Sequence, residues 1–514
     1  MSQFWQAKLW GLLHDPLLKG LYRDKAAQGY WQDLLETFQP SDSCQQADSI
    51  AVASDRPAWD VTGARGFVNY KEREGLQVSH LLSGRKLELT FTDITSASAE
   101  QDRTLGERER EALSQFKTDH PEATPPETFW WAWRCLPVEL ANAYGEQLAL
   151  LPADTRIPDC SVWSHNSLSA AIAGSLQGYN SEPGSRPYLG IFSFSPVQEL
   201  IKASRKMQDF WAGSWLLHYL SAKVCWTWAQ QYGPDSLVYP SLYAQPLIDT
   251  WLLEKWPHFQ KWVSRPSPSQ LLTAGFPNVL TVVLPSSRIE PAMQTAHQVL
   301  HGNWLDIGDR VWAELGKKQG VNEARLWKGW LKKQWQTYWT GLPLGDRDAE
   351  LKKGQGKIVA PTASNPGANV PDLKQDFYDW VEVQNKACHL RSLPKDAIAE
   401  NLSWRSEAFP DEHLNQQRPT LAELTTYETH TVGLWWSPTF DRLRQNLAAV
   451  KLPRTWELPT VFAPRSTISG IGPVLHPNST DTPQDWSSEA DTKTFWTKTR
   501  GWFDGNEQLN ATEV

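Results

Sequence analysis

The stretch "LWGLLHDPLLKG", residues 9–20, sets a histidine beside an aspartate at His14 and Asp15. Imidazole nitrogen and carboxylate oxygen are both good donors to divalent transition cations. Neighbours inside a helix diverge by about 100°, but Pro16 interrupts the stripe formed by Trp5, Leu9, Leu12 and Leu13. A break there lets both side chains turn toward one point. A cation needs further donors, and "ADSIAVASDRP" offers Asp48 and Asp55, two helical turns apart and so on one helix face. The same residues have a plainer use. Asp15 before Pro16 suits the N-cap of a following helix "PLLKGLY", His14 suits a satisfied core or surface position, and Asp55–Arg56 suits an ion pair at a helix end.

A second stretch with chemical potential is "FSFSPVQELIKASRKMQDFWAGSWLLHYL". Ser195 as N-cap and Pro196 as first helical residue would form a helix start whose amides suit phosphate. Gly213–Ser214 reads as a break that lets backbone approach a ligand, or as a packing glycine.

The elements that must position these residues follow from periodicity. Residues 1–20 read as helix up to Pro16, and helical patterns recur in "AAQGYWQDLLETF" and "CQQADSIAVAS". "RKLELTFTDI" alternates like an exposed strand, and "SASAEQDRTLGERERE" is a charged run leading into helix. A first, mostly helical domain of roughly 110–120 residues fits the usual size. Then comes a strand (Tyr188–Phe194), a long helix, two strands ("SLVYPSLY", "NVLTVVLP") and another helix, "EPAMQTAHQVLHGNWLDIGDRVWAEL". That order suits a ferredoxin-like plait. Residues 344–372 are polar and rich in Gly, Pro and Lys, a linker by composition, with helical patterns after them.

Composition bounds the function classes. A chain of 514 residues exceeds one core, so several domains are expected. The net charge of −8 provides no general field for nucleic acid, so such contacts must be local or come through partners. Five scattered cysteines without Cys-x-x-Cys spacing argue for reduced thiols and against a cysteine zinc site. No apolar run approaches the roughly 18 residues of a membrane span, and the first residues lack signal-peptide features. A cytoplasmic location is expected. The 29 tryptophans, densest in "TFWWAWRCLPVEL", are expected in the core rather than as base-stacking platforms.

Several stretches, in order, resemble the polymerase-like large subunit of type III CRISPR effector complexes, in a subtype B-like form. "LLHDPLLKGL" resembles its HD doublet, "ADSIAVASDRP" its second acidic motif, and "VSHLLSGRKLEL" the segment after it. "LPADTRIPDCSVWSHNSLSAAIAGSL" resembles the lead into the first palm, and Pro196-Val197-Gln198 with "RKMQDFWAGS" the opening of that palm. "GFPNVLTVVLP" looks like a later palm strand, and "GWFDGNEQLNATEV" like the junction before a second palm.

The resemblance implies an α+β multidomain chain corresponding to the N-terminal half of such a subunit. The implied units are a helical HD-like nuclease domain (1–118), a connecting helical segment (119–186), a ferredoxin-like palm (187–343), a linker (344–372) and a helical C-terminal domain (373–514). It implies a divalent metal (manganese, magnesium or nickel-like) on His14, Asp15, Asp48 and Asp55, with His14, Asp15 and Asp48 catalytic in cutting single-stranded DNA. Family members place extra histidines between the two motifs; this chain has none from Pro16 to Ala47, and His80 is the candidate replacement. The palm implies a nucleotide pocket for ATP near Ser195, Gln198, Gly213 and Ser214. The family's cyclic oligoadenylate chemistry uses Gly-Gly-Asp-Asp, and this chain contains no Asp-Asp pair. Implied partners are other effector subunits, guide RNA, target RNA and single-stranded DNA, with no membrane. The alternative is a scaffold that anchors partner subunits and the 5′ end of the guide.

Overall fold

The computed structural model describes residues 3–18, 44, 47–48, 50–51, 76–79, 82–89, 99–151, 153, 160–180, 185–202, 204–319, 325–344, 357–358, 427–428, 436–451, 464–470, 472–475, 488–501 and 503–514. Asp55, His80, the helical pattern at 26–38 and nearly all of 344–435 lie outside them.

Helix α1 (Gln3–Leu13) stops three residues before Pro16. Phe4, Trp5, Ala7, Lys8, Leu9, Gly11, Leu12 and Leu13 are all buried, the pattern of a helix enclosed on every side. Residues 14–18 follow in bends and a turn. The outlying hairpin pairs β1 (Leu76–Ser79) with β2 (Lys86–Leu89). Helices α2 (Ala99–Asp119), α3 (Pro125–Arg134) and α4 (Leu136–Tyr144) follow. A capping box at Thr124 and Glu127 starts α3, which carries Trp130 and Trp131 into the core, as composition led one to expect. Arg134 leaves α3 in a two-pronged ion pair with Asp249 (2.9 and 2.7 Å).

Helix α5 (Val162–Gln177) starts at Ser161, whose hydroxyl accepts the Ser164 N–H. One face of it is small: Ser169, Ala170, Ala173 and Gly174. That face meets α1 antiparallel. A Cβ on Gly11 would lie 2.8 Å from the Ala170 Cα and the Ser169 carbonyl, and one on Gly174 would strike the Lys8 stem. Glycine at both positions is what lets the two backbones approach.

The sheet follows: β3 (Pro187–Ser195), α6 (Val197–Lys202), α7 (Met207–Tyr232), β4 (Leu237–Tyr239), α8 (Pro246–Lys255), β5 (Val279–Pro285), α9 (Ile289–Gln319), α10 (Arg325–Lys333) and β6 (Gln336–Pro343). The strand order is β4-β5-β3-β6, all neighbours antiparallel. Strand β3 is central and almost wholly buried, which explains a sequence apolar at every interior position but Ser193. The fourth strand, "QTYWTGLP", was not read from the sequence because it is only half-buried and mixes polar with apolar residues. Beyond it, α11 (Trp436–Lys451) packs on β6 and β3, with Lys451 donating to the Ser193 hydroxyl at 2.8 Å. Helix α12 (Glu489–Lys498) buries Trp496.

Two expectations in the sheet region are corrected. Ser195 is not an N-cap: it is the last residue of β3, paired with Gln336, and the helix begins only at Val197 and runs six residues. Gly213–Ser214 does not break a helix, since α7 runs through both, its ladder needing no side chain to continue. Gln198 is exposed on α6, and no described polar contact joins these four residues into a site.

Within α7, His218 is buried and its Nδ1 accepts the backbone N–H groups of Gly275 (3.0 Å) and Phe276 (2.9 Å), fixing the entry to β5. Burial pushes its pKa down to about 4.

Two outcomes are expected. Gly11→Ala should lose about 1–3 kcal/mol of unfolding free energy in urea, because the added methyl meets backbone. Gly213→Ala, whose Cβ meets nothing within 4 Å, should be neutral or gain about 0.5–1 kcal/mol. As for pH, the unfolded His218 binds its proton near pH 6.5 and the folded one near 4. Its contribution is therefore complete above about 6.5 and lost as pH falls toward 4; His218→Gln should flatten part of that decline in an unfolding series.

Candidate metal centre

Four side chains from three separate stretches converge beyond the end of α1. His14, Asp15, Asp48 and His165 each offer a ligand atom, and these atoms all lie within 4.8 Å of one another. His14 and Asp15 sit just past Leu13, where the chain has left the helix, so adjacent residues need not diverge. Asp48 comes from a helical stretch holding Ala47, Ile50 and Ala51, all buried, so Asp48 is presented on its open side. His165 comes from the first turn of α5.

The Asp48 Oδ1 lies 3.3 Å from the His14 Nε2 and 3.1 Å from the His165 Nε2. The Asp15 Oδ2 lies 3.7 Å and 3.9 Å from the same two nitrogens. Asp15 is held from behind, its backbone carbonyl accepting from the Asn166 amide at 3.2 Å. Burial works to raise the pKa of Asp48, but hydrogen bonds from His14 and His165 and the nearness of their charge outweigh it. The carboxyl is held well below the usual range.

The donor set bears on what the cluster can hold. The His14 Nδ1 lies 2.7 Å from the Gly11 carbonyl, which can only accept, so Nδ1 carries a proton. In the neutral ring Nε2 is then a bare lone pair facing two carboxylates. Either an imidazolium or an interposed cation removes that repulsion. Ligands about 2.1 Å from one ion and at right angles are separated by about 3 Å. The four His–Asp edges, 3.1 to 3.9 Å, are near that spacing, and every edge of the cluster is within 4.8 Å. Two carboxylates and two imidazoles suit a divalent transition cation. The cluster opens on one side, Asp48 being 38% exposed against 3% for His165.

Of the residues singled out in the sequence, the structure brings together His14, Asp15 and Asp48, while Asp55 and His80 lie outside the described residues. His165 was missed. It lies 117 residues from Asp48, and its local signal was only a polar pair, His165–Asn166, at the start of a helix of otherwise small and apolar residues.

Comparison with known proteins adds a likeness to one family. Residues 189–336, the span from β3 to β6, match the family model described as CRISPR-associated protein Cmr2, N-terminal. The Cmr2 subunit of the CRISPR Cmr system of Pyrococcus furiosus is 36% identical over 110 residues, covering 21% of this chain and 12% of that protein. The corresponding subunit of Saccharolobus solfataricus is 30% identical over 104 residues, 20% of this chain and 10% of that protein. A chain in the cryo-EM structure of type III-B Cmr-beta bound to cognate target RNA superposes with a TM-score of 0.53 at 15% identity, covering 99% of this chain and 48% of that one. One in the apo state gives 0.51 at 16% identity, covering 99% and 49%. At such identities the likeness is one of fold, and the chain spans about half the length of those solved chains. No helix among the described residues is long and apolar enough to cross a membrane. The match on the central sheet, the two relatives and a backbone likeness along nearly the whole chain bear out the resemblance read from the sequence: this chain is similar, over its central sheet in sequence and over nearly its whole length in fold, to the N-terminal part of the large Cmr2 subunits of type III-B Cmr CRISPR systems.

Proposed function

We propose that this chain supplies a metal-dependent single-strand DNA nuclease site to an RNA-guided type III-B complex, with His14, Asp15, Asp48 and His165 as the ligand set. The observation that carries this reading is the convergence of two imidazoles and two carboxylates within 4.8 Å. All four lie outside residues 189–336, so the family match does not itself speak for them. A divalent cation of the manganese, magnesium or nickel kind would supply water activation and charge stabilisation at a phosphodiester. Asp15 and Asp48 provide the negative charge that holds it. The Gly11 carbonyl keeps the proton of His14 on Nδ1, leaving Nε2 free to ligate, and the exposed side of Asp48 is where a phosphate of the strand can approach. Partner subunits, guide RNA and target RNA belong to the same proposal, as does the reading of β3–β6 as a palm. The sheet order β4-β5-β3-β6 is that of a ferredoxin-like plait.

Two measurements test it. In calorimetric titration of the chain with manganese chloride, His165→Ala is expected to weaken binding at least about tenfold, a loss of the size seen when even an outer-shell partner is removed. Wild-type affinity in that variant would remove His165 from the ligand set. In the assembled complex with guide and target RNA, manganese-dependent cleavage of single-stranded DNA is expected from wild type and not from His14→Ala/Asp15→Ala. Cleavage surviving in the double variant would place the nuclease elsewhere. No cleavage in either would favour the scaffold role.

A further inference from the structure

We propose that Lys8 and Asp235 are positioning residues that tie the ligand set to the sheet, so that metal binding and the packing of the turn before β4 are coupled. This rests on the metal reading of His14, Asp15, Asp48 and His165. Lys8 is fully buried, five residues before the end of α1, and its ammonium lies 2.6 Å from the Asp235 Oδ2, also fully buried. The Ser236 hydroxyl lies 3.3 Å away. The rings of Phe4 and Phe129 (5.2 Å each) and Trp5 (5.9 Å) enclose the ammonium, presenting π-faces and no further acid. Asp235 and Ser236 sit in the single 3-10 turn Pro234–Ser236 that leads directly into β4. Gly233 precedes it at φ +96°, and a Cβ there would meet the Lys8 Cε at 2.8 Å. The turn is therefore shaped around this lysine.

Three contacts follow one another along the α1–α5 pair. Lys8 packs on Gly174, Gly11 packs on Ala170 and Ser169, and His14 meets His165, with ring centroids 5.9 Å apart. From Lys8 to Leu13, the last helical residue before His14, the rise is about 7.5 Å along one largely buried helix. A shift of the turn before β4 must either break an ion pair in an apolar setting or move α1, and with it His14 and Asp15. Apolar replacements would fill the same space but lack the directional tie, the register role attested for some buried polar groups.

Hydrogen exchange read by mass spectrometry on the whole chain, with and without manganese chloride, tests the coupling without a variant. Protection is expected in peptides covering Tyr232–Leu237, none of which is a ligand, together with α1 and α5. Protection confined to the ligand-bearing segments would overturn the coupling. Binding absent by calorimetry would instead overturn the metal reading beneath it. The variant Lys8→Met/Asp235→Leu keeps the site filled; it is expected to retain the thermal stability of wild type but to bind manganese about tenfold more weakly or worse, with protection at Tyr232–Leu237 lost. Wild-type affinity in a folded double variant would show the pair to be packing only. Should that variant not fold, the exchange pattern of the wild type decides.

Discussion

Everything at the candidate metal centre depends on how closely two helices approach. Helices α1 and α5 cross with glycine on each side of the contact, Gly11 against the backbone of α5 and Gly174 against the stem of Lys8. At that separation the loop after α1 and the first turn of α5 lie within one coordination distance of each other. A spread of an ångström would leave His14 and His165 as two unrelated histidines. Packing of small residues, usually discussed as a matter of stability, here fixes a donor geometry.

The electrostatics of the cluster are consistent with that geometry. The Asp48 Oδ1 lies within hydrogen-bond reach of both Nε2 atoms and the carboxyl stays ionised in spite of burial. The Gly11 carbonyl settles which nitrogen of His14 keeps its proton. Gly11 thus serves twice, by having no side chain toward α5 and by directing its carbonyl at His14. The Asn166 amide holds the backbone at Asp15, so the residue beside His165 on α5 steadies the segment that carries His14 and Asp15. These are the outer contacts that orient ligands in metal sites generally.

The cluster and the sheet occupy different regions of the molecule. The family-model match lies between β3 and β6, the region of long-range strand pairing around a buried central strand. The donors lie outside it, on helices whose main demands are small residues and a few polar atoms. The buried pair Lys8–Asp235 bridges the two regions, its charges far from water and satisfied almost wholly by each other. Breaking such a pair from one side leaves an uncompensated charge, which is why the two segments act as one body.

The sequence by itself was sufficient for much of this. The helix ending before Pro16, the buried tryptophans of "TFWWAWRC", the strands read at Tyr188–Phe194 and "NVLTVVLP", and the family resemblance all follow from local pattern and ordered motifs. His14, Asp15 and Asp48 were also legible, because a His-Asp doublet at a helix break is a local signal. What local pattern misread was equally local: Ser195–Pro196 has the composition of a helix start, but pairing with Gln336 keeps Ser195 in the sheet. Gly213 has the composition of a break, yet the surrounding helix, with Leu217, Leu220 and Trp228 buried in the core, carries straight through it. His165 and the partnership of Lys8 with Asp235 could not be read at all. Each is set by a contact across more than a hundred residues of chain. Such contacts leave no periodicity, and only the crossing of α1 on α5 and the turn before β4 brings their partners together.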